Sequence, residues 1–278
     1  MGTSHLFIVR VEIFLYNKKE QYTKNKDITM KEGVNLSTLL RYIIEHLLND
    51  ARPSIYLESI KETLKDSPLE ILVELEGVEQ EKKHHPEGNV WNHVLLVVDQ
   101  AATLREYANS PKALMLAALL HDVGKKAATR KNKSGRWISY DHDKIGEEVV
   151  RKILTSYEMD KNEIDKVCSL VKYHMHHLFI IKNLPYGNVN GLINEVDIND
   201  MALLFISDRL GRLQDTYEEK SKEVLDVLEI LDILNQKYNV DVSEAKGKVE
   251  KILKNLSKIW FTYIHLWIIL LISSYYSM

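Results

Sequence analysis

The sequence predicts an all-α fold, and three observations predict it. Between Val90 and Glu219, apolar residues recur at intervals of three and four, the spacing of one helix face, through five successive segments. Residues that start and stop helices bound them, among them Ser54 after Pro53, Pro111, Gly124 and Asp143. Strict alternation, the mark of a half-buried strand, is confined to LFIVRVEIFLY at 6–16, where Val9, Val11 and Ile13 alternate with Arg10 and Glu12.

Taken in order, that short N-terminal strand is followed by a polar, lysine-rich linker from Tyr16 to Lys31 and a helix over Asn35 to Asn49. A second helix is expected from Ser54 to Lys65, stopped before Pro68, and a short one within the run ending LVELEGVEQ (72–80). After the turn EKKHHPEGN come the five longer helices. Val90 to Tyr107 puts Val90, His93, Val97, Ala101 and Leu104 on one face. Pro111 to His121 opens on a tolerated first-turn proline and closes at Gly124. The third starts at Asp143 as N-cap and runs to Tyr157. The fourth, Asp160 to His177, aligns Ile164, Val167, Val171, His174 and Leu178, so His174 points to the core. The fifth, Asp200 to Glu219, places Met201, Leu204 and Asp208 together. The expected division is an N-terminal extension over 1–54, a helical domain over 55–222, and C-terminal helices with an apolar tail over 223–278.

With 278 residues, 45% of them hydrophobic, the chain can bury a sizeable core. A net charge of -3 argues against whole-protein attraction to nucleic acid, so any phosphate-binding surface has to be a local patch. The single cysteine, Cys168, cannot form an internal disulfide, and the N-terminus lacks the features of a secretory signal, which together point to the cytoplasm.

Chemistry concentrates at ALMLAALLHDVGKK (113–126), where eight apolar residues run into an adjacent histidine and aspartate. Burying both groups is unfavourable unless something satisfies them, and a metal ion would. Four helices each deliver a metal-capable group to an apolar face: His93, His121 with Asp122, His174 and Asp208; His142 arrives just before the third helix. Neighbours on a helix point about 100° apart, so His121 and Asp122 converge on one ion only where the helix ends. Imidazole plus carboxylate without thiolate suits one or two divalent ions and does not choose among Mn, Ni, Co, Fe, Mg and Zn. His176 and His177 are expected to face solvent or the mouth of the site, and His84 and His85 to be surface residues of a turn. KKAATRKNKSGR (125–136) holds six basic residues and no acid. It is either a solvated loop or an electropositive rim that draws phosphate inward, with Lys125 the best candidate for contacting a phosphate oxygen.

The words around these residues resemble the HD superfamily of metal-dependent phosphohydrolases, named for its histidine-aspartate pair. HPEGNVWNHVLLVVD (85–99), ALLHDVGK (118–125), YDHDKIGEE (140–148), VKYHMHH (171–177) and SDRLGR (207–212) are similar to the HD domain of bacterial CCA-adding tRNA nucleotidyltransferases, over about residues 55 to 222. The resemblance implies an HD-domain helical bundle. It implies His93, His121, Asp122 and Asp208 as ligands of a first metal, and the blocks with His142 and His174 as a second metal or a phosphate contact. Relatives of this type hydrolyse 2′,3′-cyclic phosphates, 2′-nucleotides and other phosphate esters. The sequence departs from CCA-adding enzymes in having no GG dipeptide and about 55 residues before the match, so CCA addition is not expected.

The expected activity is metal-dependent hydrolysis of a nucleotide-type phosphoester, the partner being a small nucleotide or an RNA end. Asp122 would bridge two ions, and Lys125 and Arg212 would neutralise the phosphate. The alternative is a non-catalytic nucleotide- or RNA-binding module. Residues 259–276 hold no Lys, Arg, Asp or Glu, carry Trp260, Tyr263, Tyr275 and Tyr276 near their ends, and follow a lysine-rich flank. They either anchor the protein to a membrane or form an apolar terminal helix docked on the domain or a second subunit.

Overall fold

The computed structural model describes residues 36–213 and 216–258; the expected strand at 6–16, the linker after it and the apolar segment 259–276 lie outside them. From Leu40 onward the described residues belong to one unit. The elements are α1 (Leu36–Asn49), α2 (Pro53–Ser59), α3 (Lys61–Leu64), α4 (Glu70–Glu74), α5 (Val90–Leu104), α6 (Pro111–Leu120), α7 (Lys125–Ala128), α8 (His142–Ser156), α9 (Lys161–Tyr173), α10 (His176–Ile181), α11 (Val189–Glu195), α12 (Ile198–Leu210), α13 (Tyr217–Tyr238) and α14 (243–258). Strands are limited to a hairpin of β1 (Arg130–Lys131) and β2 (Trp137–Ile138), paired antiparallel. The all-α class predicted above is therefore what forms.

Two helices sit inside, α6 with an apolar surface on every side from Ala113 onward and α12 buried on every side although it carries Asn199, Asp200, Ser207, Asp208 and Arg209. Every residue of α6 from Ala113 to Leu120 is buried, and so is every residue of α12 from Asn199 to Leu210. A helix without a polar face has to be covered on all sides. Accordingly α6 packs against α5, α9 and α12, and α12 also packs against α5 and α13. The polar members of this interior, His121 at the end of α6 and Ser207, Asp208 and Arg209 in α12, are thus committed to partners.

Several helices end or begin differently from the pattern in the sequence, each for a local reason. Helix α2 starts at Pro53 rather than being capped by Ser54, because Asp99 on α5 reaches across and accepts from the Ser54 backbone N–H at 3.0 Å and from its hydroxyl at 2.7 Å. The helix expected to reach Lys65 divides at Ile60 into α2 and α3. Asp143 is not the cap of α8: it is a buried first-turn residue, His142 is the first helical residue, and the cap position falls to Asp141 in the left-handed region at φ 58°. The helix expected over 160–177 divides into α9 and α10, since the His174 ring takes the Val171 carbonyl at 2.6 Å that a continuing helix would give to the next turn. The last expected helix stops at Leu210, and a separate helix, α13, begins behind Thr216 in a reciprocal cap with Glu219. Among the described residues no helix is long and apolar enough to cross a membrane.

Candidate metal centre

Helix ends build the centre. The last carbonyls of an α-helix lack intrahelical partners, and here imidazoles use them. His121 caps α6 and its Nδ1 donates to the Ala118 carbonyl at 2.9 Å; His174 caps α9 and its Nδ1 donates to Val171 at 2.6 Å. At the start of α8, the His142 Nδ1 donates to the Ser139 carbonyl at 2.6 Å. A carbonyl can only accept, so each of these rings carries its proton on Nδ1 and turns Nε2 inward, the orientation that metal-binding histidines are given by their outer partners.

Asp122 sits among those inward nitrogens. Its Oδ2 lies 3.3 Å from Nε2 of His121 and 3.8 Å from Nε2 of His93. Its Oδ1 lies 3.3 Å from Nε2 of His142 and 3.8 Å from Nε2 of His174. The residues thus form two groups that share Asp122, one with His93 and His121 and one with His142 and His174, each close enough to hold an ion. Asp208 closes the first group, with Oδ1 at 3.1 Å from Nε2 of His93. All six residues singled out from the sequence, on α5, the α6 terminus, α8, the α9 terminus and α12, come together and are buried.

The cluster contains a conflict that a cation resolves. Nε2 of His142 and Nε2 of His174 are 3.1 Å apart, and since both rings donate through Nδ1, two lone pairs face each other whenever both rings are neutral. Nε2 of His121 is buried without any hydrogen-bond partner. Burial foremost, then the neighbouring His142 and His121 rings, push His174 well below its ordinary pKa. For Asp122, burial opposes the charge, but Lys125 and His121 hold the carboxyl well below the usual range. An inward set of imidazole nitrogens around an ionised carboxylate is a donor set for a divalent ion, although burial of His93 is outweighed by Asp208, Glu87 and Asp122, which raise its pKa.

Lys125 and Arg212 occupy different surroundings from a surface rim. Lys125 is buried, with Nζ 2.7 Å from Asp122 Oδ2 and 2.7 Å from the Gln80 side-chain oxygen. Arg212 is 3.6 Å from Asp208 Oδ1, its Nε buried and without a hydrogen-bond partner. Cys168 is buried, and that burial pushes its thiol up to about 11.

Sequence reasoning missed Glu87, took His85 for a surface residue, and left His176 and His177 either facing solvent or at the mouth of the site. Glu87 is buried, with Oε1 2.9 Å from Nδ1 of His93 and 2.8 Å from Nδ1 of His85. Burial works against its charge, but the hydrogen bonds from His85 and His93 bring it down to about 2. Its carboxylate sits against Nδ1 of His93 while Nε2 of the same ring is hydrogen-bonded to Asp208, so His93 is held from both nitrogens. His84 is exposed as expected, whereas His85 is drawn inward by Glu87. His176 and His177 are buried rather than facing solvent, because α10 starts afresh at His176 and turns both rings inward, His177 against Phe205 and the His174 carbonyl, His176 against Tyr173. The signal for Glu87 was the spacing of His85 and Glu87 ahead of a helix whose first inward polar residue is His93. Replacing Glu87 with alanine is expected to weaken metal affinity by about 10- to 100-fold, and Glu87→Gln, which keeps the shape, by less. Calorimetric titration of the stripped protein with Mn measures this; unchanged affinity in the alanine variant contradicts it.

The geometry agrees with what the chain is similar to. The HD domain family model matches residues 90–234, just over half of the chain. The multifunctional CCA protein of Actinobacillus pleuropneumoniae serotype 5b (strain L20) is 34% identical over 172 residues, 58% of this chain and 40% of that protein. The multifunctional CCA protein of Haemophilus influenzae (strain PittGG) is 29% identical over 227 residues, 76% of this chain and 52% of that protein. The A-adding tRNA nucleotidyltransferase of Deinococcus radiodurans is 34% identical over 129 residues, 46% of this chain and 28% of that protein. The chain spans about half or less of the length of these curated relatives. With the histidine-aspartate pair at the end of α6 and the match extending from α5 into α13, the chain belongs to the HD domain family, within the superfamily of metal-dependent phosphohydrolases.

Proposed function

We propose that this chain hydrolyses a nucleotide-type phosphoester with one or two divalent ions held by His93, His121, Asp122, His142, His174 and Asp208. The observation that carries the reading is the pair of Nε2 atoms on His142 and His174 that face each other at 3.1 Å, beside a carboxylate whose two oxygens address two separate groups of histidines. A bound divalent ion supplies Lewis acidity and lowers the pKa of water toward neutrality.

The chain's own residues do the rest. Asp122 offers one oxygen to each histidine group, so it is placed to be shared by two ions. Lys125 holds Asp122 in that orientation through its ion pair and is itself fixed by Gln80, so its charge sits against the reacting centre. Arg212, with an unused buried Nε and a loose contact to Asp208, is the side chain free to turn toward a phosphate oxygen. Cys168 has its thiol proton held by burial and sits with its sulfur on the Glu147 carbonyl, so it is not placed as a nucleophile, and water activated by the bound ion would be the attacking group. The tRNA-directed relatives make a nucleotide or an RNA end the reasonable class of substrate.

The test is hydrolysis of bis-p-nitrophenyl phosphate and 2′,3′-cyclic AMP with added Mn, Ni or Co, with metal content measured on the same sample. Metal-dependent release of product is expected. A metal-loaded protein that binds nucleotides and cleaves none of these, nor a wider nucleotide panel, would instead be a binding module.

A further inference from the structure

The hairpin between α7 and α8 has a composition that the metal chemistry does not use. Arg130, Lys131, Lys133 and Arg136 are exposed and make no ion pair with any described residue. Asp141, just after the hairpin in sequence, pairs with Lys144 at 2.8 Å and feels Arg130 only as a lesser electrostatic contribution. Aromatic rings are interleaved with these cations: the Lys131 ammonium lies 4.8 Å from the Trp137 ring centre, and the Arg130 guanidinium 6.0 Å from that of Tyr140. Tyr140 is 63% exposed.

The hairpin is also cross-braced by hydrogen bonds and tied to the centre. The Asn132 side-chain oxygen accepts from the N–H groups of Ser134 and Arg136 and from the Ser134 hydroxyl, and Gly135, at φ 77°, completes the turn. Its base is joined by the Thr129 and Ser139 hydroxyls at 2.8 Å, and Ser139 holds His142 through its carbonyl. Whatever binds along these strands is led toward a metal ligand.

We propose that this hairpin binds single-stranded nucleic acid, its cations on successive phosphates and Tyr140 stacked on an unpaired base. An exposed tyrosine and a half-buried tryptophan interleaved with cations that make no ion pair fit a strand whose bases are free to stack, whereas a duplex hides its base faces and offers only phosphates. In a protein of net charge -3, this patch has to supply the attraction locally. The inference deepens the hydrolase reading by naming a polymeric substrate, but binding is measured without metal, so loss of binding and loss of turnover are separate results.

The experiment is fluorescence anisotropy of the full chain, stripped of metal, with labelled oligouridine and oligodeoxythymidine about a dozen nucleotides long, over a range of salt. Replacing Arg130, Lys131, Lys133 and Arg136 together with glutamine should make the slope of log affinity against log salt shallower by about 3, since each phosphate contact on a single strand contributes about 0.7. Tyr140→Ala should weaken binding roughly 5- to 150-fold, the range for one stacked base. Both changes are on exposed side chains, and far-ultraviolet circular dichroism checks that helix content is kept. Preference between the two polymers identifies RNA or DNA and supports the proposal either way. It is overturned if the fourfold variant binds as the parent does, if Tyr140→Ala changes nothing, or if phosphatidylserine vesicles are bound more tightly than either oligonucleotide.

Discussion

Asp122→Asn is expected to lose at least about 1000-fold in turnover and to stop responding to added metal. The substitution keeps the size of the side chain and removes the charge that every inward nitrogen faces: His93 and His121 across one oxygen, His142 and His174 across the other. Asparagine is preferred to alanine because Lys125 is buried against this carboxylate, and Asp122→Ala would leave that ammonium with Gln80 alone and risk the fold. A readout independent of turnover is available. An ion that binds the folded chain a thousandfold below its concentration stabilises it by about 4 kcal/mol, which for a chain of this size raises the Tm by roughly 10 °C. Parent protein titrated with Mn should show that rise; Asp122→Asn should not. An asparagine variant that still gains stability from Mn, or still turns over, removes the shared carboxylate from the account.

How far the sequence could be read depends on how local each cause is. His174 was legible because Ile164, Val167 and Val171 precede it at helical spacing, and one helix face follows from one stretch of chain. The joint placement of His93, His121 and Asp208 followed from the same logic applied helix by helix. Asp99 at the start of α2 was not legible, since its partner Ser54 lies 45 residues away and only packing of α2 on α5 brings them together. The burial of His176 and His177 turns on a break at His174 and Met175 made by the ring of His174 itself, a side-chain choice that competes with the helix and leaves the apolar pattern unaltered. Glu87 looked like one polar residue in a polar turn, and its value appears only once the turn is folded against the start of α5. The hairpin has strands of two residues, too short for alternation to register, so the basic stretch was read for its charge and not its shape. A turn glycine at 135 between Lys131 and Trp137 was the available sign.

Gly124→Ala should be the most damaging single-methyl change in the domain. The glycine has an ordinary backbone at φ -65°, so conformational freedom is not why it is there. A Cβ at this position would meet the His142 carbonyl oxygen at 2.0 Å, the Gly146 nitrogen at 2.6 Å and the His142 carbonyl carbon at 2.9 Å. All three are backbone atoms of the first turn of α8, so no side chain can rotate away and the helix start has to retreat by well over an ångström. The expected loss is at least about 3 kcal/mol, or roughly 6–12 °C in Tm. The retreat also carries His142 away from His174 and Asp122, in a centre where displacements beyond about 0.5 Å already matter, so weaker Mn affinity is expected in whatever fraction folds. Gly146→Ala is the control on the other side of the same contact. Its Cβ would touch a Val171 methyl at 3.3 Å and nothing closer, and a helical alanine is intrinsically favoured over glycine, so stability should change by no more than about 1 kcal/mol. Thermal melts of the two variants, with and without Mn, separate a close backbone approach at Gly124 from a general intolerance of methyl groups where α8 meets the histidine-aspartate turn; equal melting temperatures would contradict it.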